Sequence, residues 1–259
     1  MKGITLFTHA IGMVFGNPGA ALRISGLLMA FQFALVIGLD LQVLFLPVEP
    51  EPVLPGEMPA ATLPPAALIF WLVQLFSGFW IAVAWQRFIL REEVPMGIVP
   101  AFRGRAMLRY LGIGLLLMLI LALAAIPLVV LVTFIVGPMA LATQNLAAML
   151  AFGVLVFVPI TYLGLRLSPI LTAAALEEKL PLREAWYRTG ASGGAIFVLT
   201  LLAIAGSFLL NLPAAVLVQG LSGLAFLYAF LSTWLVLLLS TSLITTIYGH
   251  YIEDRPLNA

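Results

Sequence analysis

Long apolar runs alternate with short polar segments along the whole chain, and the polar segments carry almost all of the charge. Six runs approach or exceed the roughly 20 residues that a helix needs to cross about 30 Å of hydrocarbon. They cover residues 24–46, 66–90, 108–136, 146–165, 195–217 and 221–248. The pattern predicts an all-α, polytopic membrane protein. It forms a single integral membrane domain of six transmembrane helices in three hairpins. Pro127 and Pro159 fall inside the third and fourth spans, and proline removes a backbone donor and clashes one turn back, so Pro127 marks a candidate kink.

The polar stretches predict the rest of the architecture. Residues 4–15 place Ile4, Leu6, Phe7, Ile11, Val14 and Phe15 mostly on one side of a helix, a spacing that suits a short helix lying in the membrane interface. An extension of the first span is the alternative. Asn17-Pro18-Gly19 ends this piece. His9 and Asn17 interrupt its apolar part, so it reads as mature sequence and not as a signal peptide. Residues 47–65 are rich in proline and glutamate and read as an extended loop, and residues 137–145 as a short uncharged turn. Residues 164–194 form the only long run that mixes charge, aromatics and helix punctuation. That run predicts an amphipathic surface connector between the fourth and fifth spans.

Composition agrees with the hydropathy pattern. Apolar residues make up 63% of the 259 residues and charged residues 9%, against about a quarter in a soluble domain. A net charge of +1 leaves no basic surface for nucleic acid. With no cysteine there is no disulfide, thiolate metal site or cysteine nucleophile. With six spans, all twelve Lys and Arg residues fall on one side or at its membrane edge, and none lies in the three opposite loops. The positive-inside rule then puts both termini of this multi-pass protein in the cytoplasm.

A repeat is also visible. Glu92-Glu93-Val94-Pro95-Met96 parallels Glu177-Glu178-Lys179-Leu180-Pro181-Leu182, and each precedes an Arg-Gly or Thr-Gly break and a hairpin. The proposed unit is a surface helix plus a transmembrane hairpin, three times over, with the N-terminal piece as the divergent first copy. Residues Arg166, Glu177, Glu178, Ala185, Trp186, Thr189 and Gly190 carry a further signal. Here the chain resembles bacterial membrane proteins of the YciC-like type, which are related to the membrane domain of glycerophosphodiester phosphodiesterases. Ala185 stands where that pattern has serine. The resemblance implies a helical bundle of the bacterial inner membrane without the phosphodiesterase chemistry, which belongs to a separate soluble domain.

Candidate chemistry is sparse. Asp40 falls inside the first predicted span near its outer end, with Gln42 two residues on. It reads either as a proton or cation site, since an intramembrane carboxylate is costly and often functional, or as an interfacial carboxylate that reaches water or bonds a neighbouring helix. Thr241 and Thr245 belong to a hydroxyl-rich end of the sixth span, which either bonds carbonyls one turn back or lines a polar cavity. Arg87, Arg103, Arg105, Arg109, Arg166, Arg183 and Arg188 form a basic collar suited to anionic headgroups, at roughly 1 kcal/mol per residue near the surface. Trp186 and Tyr187 suit the headgroup level. Glu177, Glu178 and Glu184 are expected to pair with Lys179, Arg183 and Arg188 at helical spacing. His9 and His250 fit no metal spacing, and no nucleophile or phosphate-loop motif is present. No cofactor or catalytic residue is implied. The expected function is a non-enzymatic protein of envelope or lipid organisation, or an accessory subunit contacting other membrane proteins. The alternative is a small transporter or channel component using Asp40 and the end of the sixth span.

Overall fold

The computed structural model describes residues 2–45, 64–94, 97–143 and 146–257. Among these residues the chain forms nine α-helices and no strand. They are α1 (Lys2–Phe15), α2 (Pro18–Gly38), α3 (Pro65–Arg91), α4 (Gly104–Thr143), α5 (Leu146–Leu167), α6 (Pro169–Ala175), α7 (Leu182–Gly190), α8 (Gly193–Leu217) and α9 (Ser222–Tyr251). Helices are the natural outcome, because lipid offers no partner for a free N–H or C=O. Six of them, α2, α3, α4, α5, α8 and α9, are long and apolar enough to cross a membrane. They pair as the hairpins α2–α3, α4–α5 and α8–α9, and α9 touches α1, α2, α3, α6, α7 and α8. The protein is therefore an all-α, polytopic integral membrane protein.

The first span is shorter than the hydropathy run. It begins at Pro18, whose fixed φ suits the first helical position, and stops at Gly38. Asp40 follows in the left-handed region at φ 54°. Residues Gln42–Phe45 form one 3-10 turn instead of continuing the helix. That turn stays apolar because Phe45 packs against Phe70, Phe226 and Phe230, with ring centroids 5.5–5.8 Å apart. The third span differs in the other direction, since α4 continues to Thr143 through residues 137–143, where a turn is expected. The proline-rich loop expected at 47–65 lies almost wholly outside the described residues.

Two short helices depart from expectation more strongly. The helix expected to lie in the interface, α1, is docked against both α8 and α9. It buries Gly3, Leu6, Ala10 and Val14, one side chain per turn. A Cβ on Gly3 would come within 2.5 Å of the Ala195 carbonyl oxygen, so the contact needs glycine. The connector at 164–194 is not one surface element either. Its first part, α6, is buried at six of its seven positions and packs among α3, α4 and α9. Small side chains at Thr172, Ala173, Ala174 and Ala175 allow that close approach. Only α7 is exposed over most of its length.

The repeat has a structural counterpart in its acidic pairs. Glu92 (φ 54°) and Glu177 (φ 62°) are both left-handed residues just past a helix end, α3 and α6 respectively. The second glutamate of each pair turns back to accept from arginine, Glu93 from Arg87 and Glu178 from Arg91. The surface helix expected in the second copy is not there: residues 92–94 and 97–103 are non-helical. They form a strap that folds back along α3.

Candidate functional site

The candidate headgroup arginines and their carboxylate partners gather where α3 and α9 end and α4 and α8 begin. We call this the basic end. Its centre is Arg166, in the last turn of α5, which is 9% exposed. Its guanidinium lies flat over the Trp186 indole of α7, 3.5 Å from the ring centroid, and 5.8 Å from that of Tyr162. One Nη donates to the Trp186 carbonyl oxygen (2.7 Å), and Nε faces the Thr189 hydroxyl (3.5 Å). Thr189 itself donates to the Ala185 carbonyl oxygen at 2.7 Å. Among the described residues no carboxylate pairs with Arg166. The ring face and the negative end of the α5 dipole offset its charge instead. Gly190 closes the site, since a Cβ there would sit 2.8 Å from an Arg166 Nη.

A second cluster joins α3, α6 and the strap. Arg87 grips Glu93 with both sides of its fork, at 3.0 and 2.6 Å, and its remaining Nη donates to the Ala175 carbonyl oxygen at the end of α6 (3.0 Å). Arg103 adds a bond to the same carboxylate at 2.9 Å. These hydrogen bonds, that from Arg87 foremost, hold the Glu93 carboxyl below its ordinary range against a smaller opposing effect of burial. The strap is anchored further on by Phe102, whose ring lies 5.3 Å from Trp80. Trp80 precedes Arg91 by eleven residues, so the strap retraces about 16 Å of α3 at 1.5 Å per residue.

A third cluster fastens the end of α9. Glu178 accepts from Arg91 and, at 2.6 Å, from the Tyr248 hydroxyl. Arg255 donates to the Leu90 carbonyl oxygen (2.7 Å) and to Glu253 (2.6 Å). These long-range partners replace most of the local pairing expected within 177–188. Only Glu184 and Arg188 pair along the helix, at 3.8 Å, with Asp254 3.7 Å from the same arginine. Exposed pairs of that length contribute about 0–1 kcal/mol. The local scheme fails because α6 ends at Ala175 and no helix runs through 177–181.

The expected headgroup arginines thus fall into two groups. Arg87 and Arg166 are consumed by the protein, while Arg103 and Arg188 are partly so. Arg183 stacks over the exposed Tyr187, 5.3 Å from its centroid. Arg105 is exposed and Arg109 half-buried on successive turns of α4, and neither guanidinium has a hydrogen bond or ion pair among the described residues. Leu108 between them is 72% exposed. The pair presents free guanidinium groups beside an apolar, lipid-suited face.

The intramembrane polar candidates are not brought together. Asp40 is exposed and stands outside α2, and Gln42 sits half-buried in the 3-10 turn beside the start of α9. Thr241 and Thr245 are buried 15 and 19 residues after Phe226, more than about 20 Å further along α9 at 1.5 Å per residue. Their hydroxyls donate to the carbonyl oxygens of Leu237 (2.8 Å) and Thr241 (2.6 Å), one turn back. Replacing Asp40 by asparagine is therefore expected to change stability by no more than about 0.5 kcal/mol, as for other exposed positions. Asp40→Gly should be neutral or slightly stabilising, because glycine adopts positive φ without a Cβ penalty. Thermal unfolding in detergent measures both.

Several buried polar residues carry no sequence signal of their role. The Trp85 Nε1 donates to Ser242 (2.8 Å) and the Trp234 Nε1 to Ser25 (2.8 Å). Gln32 donates to Ser77, joining α2 to α3. Gln86 is fully buried beside the Tyr110 hydroxyl, yet neither of its amide atoms reaches hydrogen-bond geometry. A polar residue within an apolar run would flag each of these, but nothing in one sequence pairs them. No protein-family model, curated protein or solved structure matches the chain.

Proposed function

We propose that this is a non-enzymatic integral membrane protein that gathers anionic lipid at its basic end. It supports envelope or lipid organisation there, or serves as an accessory subunit of a membrane complex. The observation that carries this reading is the free pair Arg105 and Arg109, flanking exposed Leu108 on α4. Arg23, exposed at the start of α2, adds a third unpaired guanidinium. The bonded hydroxyls of α9 and the distant Asp40 supply no shared polar path, so the transporter alternative gains no support. The gathering of arginines at one end favours a cytoplasmic basic end under the positive-inside rule. The resemblance to YciC-like membrane proteins, carried in part by Trp186, Thr189 and Gly190 around Arg166, is consistent with the same reading.

The double substitution Arg105→Gln, Arg109→Gln tests it. At roughly 1 kcal/mol per basic residue, the loss is about 2 kcal/mol, or some 30-fold weaker retention of phosphatidylglycerol. Native mass spectrometry of the purified chain titrated with that lipid reads the change directly. Unchanged retention, with folding intact, would remove the proposal.

A further inference from the structure

The strap, α3 and the start of α2 line a half-open cavity of about 630 Å³. That falls within the range of about 300–1,000 Å³ typical of small-molecule sites, which are mostly apolar with a few convergent polar groups. Ala84, Val94, Val99 and Ala101 supply accessible apolar wall, with the buried Ile24 and Val83 behind it. Because the strap folds back along α3, the cavity sits beside a helix long and apolar enough to span the membrane. Val94 in its wall is 62% exposed, and Phe102 in the strap 59%.

The charged lining decides the occupant. Arg87, Arg103, Glu92 and Glu93 all line the cavity, two of each sign. Arg87 and Glu93 satisfy one another, and the third Arg87 contact is the Ala175 carbonyl oxygen. What remains is one cation and one anion. Arg103 spends a single Nη on Glu93 and keeps its other donors, and it is 44% exposed. Among the described residues the Glu92 carboxylate has no hydrogen bond or ion pair, its backbone N–H alone donating to the Arg87 carbonyl oxygen. An anionic headgroup would meet the unpaired Glu92 at the same time as Arg103, which disfavours it by like-charge repulsion. A quaternary ammonium cannot donate to a carboxylate and is recognised by aromatic cages.

We infer that this cavity holds one zwitterionic phospholipid with a primary amine. Its ammonium donates to Glu92, its phosphate accepts from Arg103, and one acyl chain follows Val94, Val99 and Ala101. This is a second, single-lipid site, distinct in class and place from the anionic shell on α4.

The full chain in mild detergent, offered equal amounts of phosphatidylethanolamine, phosphatidylglycerol and phosphatidylcholine, tests the assignment. Native mass spectrometry at rising collision energy is expected to leave one phosphatidylethanolamine bound, at least tenfold over the other two. Glu92→Lys should reverse the preference toward phosphatidylglycerol. Ala101→Trp, on the exposed strap, should abolish the tightly held lipid while leaving the fold intact. Arg105→Gln, Arg109→Gln should keep it, even while losing the anionic shell, so that the two readings fail separately. Equal retention of all three lipids, a tightly bound phosphatidylglycerol in the wild type, or a tight lipid surviving Ala101→Trp would overturn the inference.

Discussion

Replacing Trp85 by alanine is expected to lower the stability of the whole bundle by about 3 kcal/mol, the low end for deleting a buried tryptophan. Trp85 is fully buried in the core shared by α2, α3, α9 and the end of α1, with Leu238 and Ala21 in the same cluster. Its indole also donates to Ser242 across to α9. The low end applies because lipid and detergent are as apolar as the core. Release of the side chain therefore forfeits close packing and not the transfer from water that dominates in soluble proteins. For a chain of this length the loss corresponds to a fall in melting temperature on the order of 6–12 °C. Trp85→Phe removes the donor and only part of the ring volume, so its cost should be about 1–2 kcal/mol. Thermal unfolding of both variants in the same detergent separates the contributions. Equal losses would show that the hydrogen bond outweighs the packing, contrary to this account.

That same solvent equivalence explains which parts of the fold were legible in the sequence. Span number followed directly from hydropathy, since six apolar runs each have a charged or proline-bearing border. Which face of a span is buried did not. Leu115 and Leu119 of α4 face outward at 58% and 57% exposure, while Leu117 between them is buried, and leucine serves lipid and core alike. For α1, large apolar residues suggested the buried face, whereas Gly3 and Ala10 mark the true docking stripe together with Leu6 and Val14. Small residues matter there because backbones approach closely. Helix α6 was hidden for a related reason. Its short alanine run sits between charged segments and reads as surface, yet small side chains are what fit between three helices.

The candidate site was legible by residue type but not by partner. Each arginine of the basic collar was visible, and all lie at one end. Whether a given arginine is free depends on contacts across long stretches of chain, such as Arg87 with Ala175 or Arg91 with Glu178. The end of Trp-rich α3 meets α6 and α9 only through the fold. Asp40 stands outside α2 because the helix ends at Gly38 and Asp40 itself turns left-handed, a local event that a hydropathy window averages away.

Removing Arg166 is expected to act locally, in contrast to Trp85. The guanidinium ties α7 to the end of α5 through the Trp186 ring face and the Trp186 carbonyl oxygen. A desolvated cation–π contact contributes about 2 kcal/mol and a charge-assisted hydrogen bond about 1.5–3, with overlap between them. Arg166→Ala should therefore ease the undocking of α7 by about 3 kcal/mol, while the six spanning helices keep their own contacts. Trypsin cleavage after Arg183 and Arg188, both on α7, should accelerate by roughly 100-fold where cleavage tracks the opened population. Arg166→Lys should rescue little, because a point charge on a flexible stem can neither stack flat on the indole nor reach two acceptors at fixed geometry. Gly190→Ala provides the internal control. Its Cβ would come within 2.8 Å of the guanidinium, so it should speed cleavage in the wild type and do almost nothing once Arg166 is gone. Additive effects of the two substitutions would show that Gly190 and Arg166 act separately, and an unaltered cleavage rate in Arg166→Ala would mean that α7 is held by other contacts.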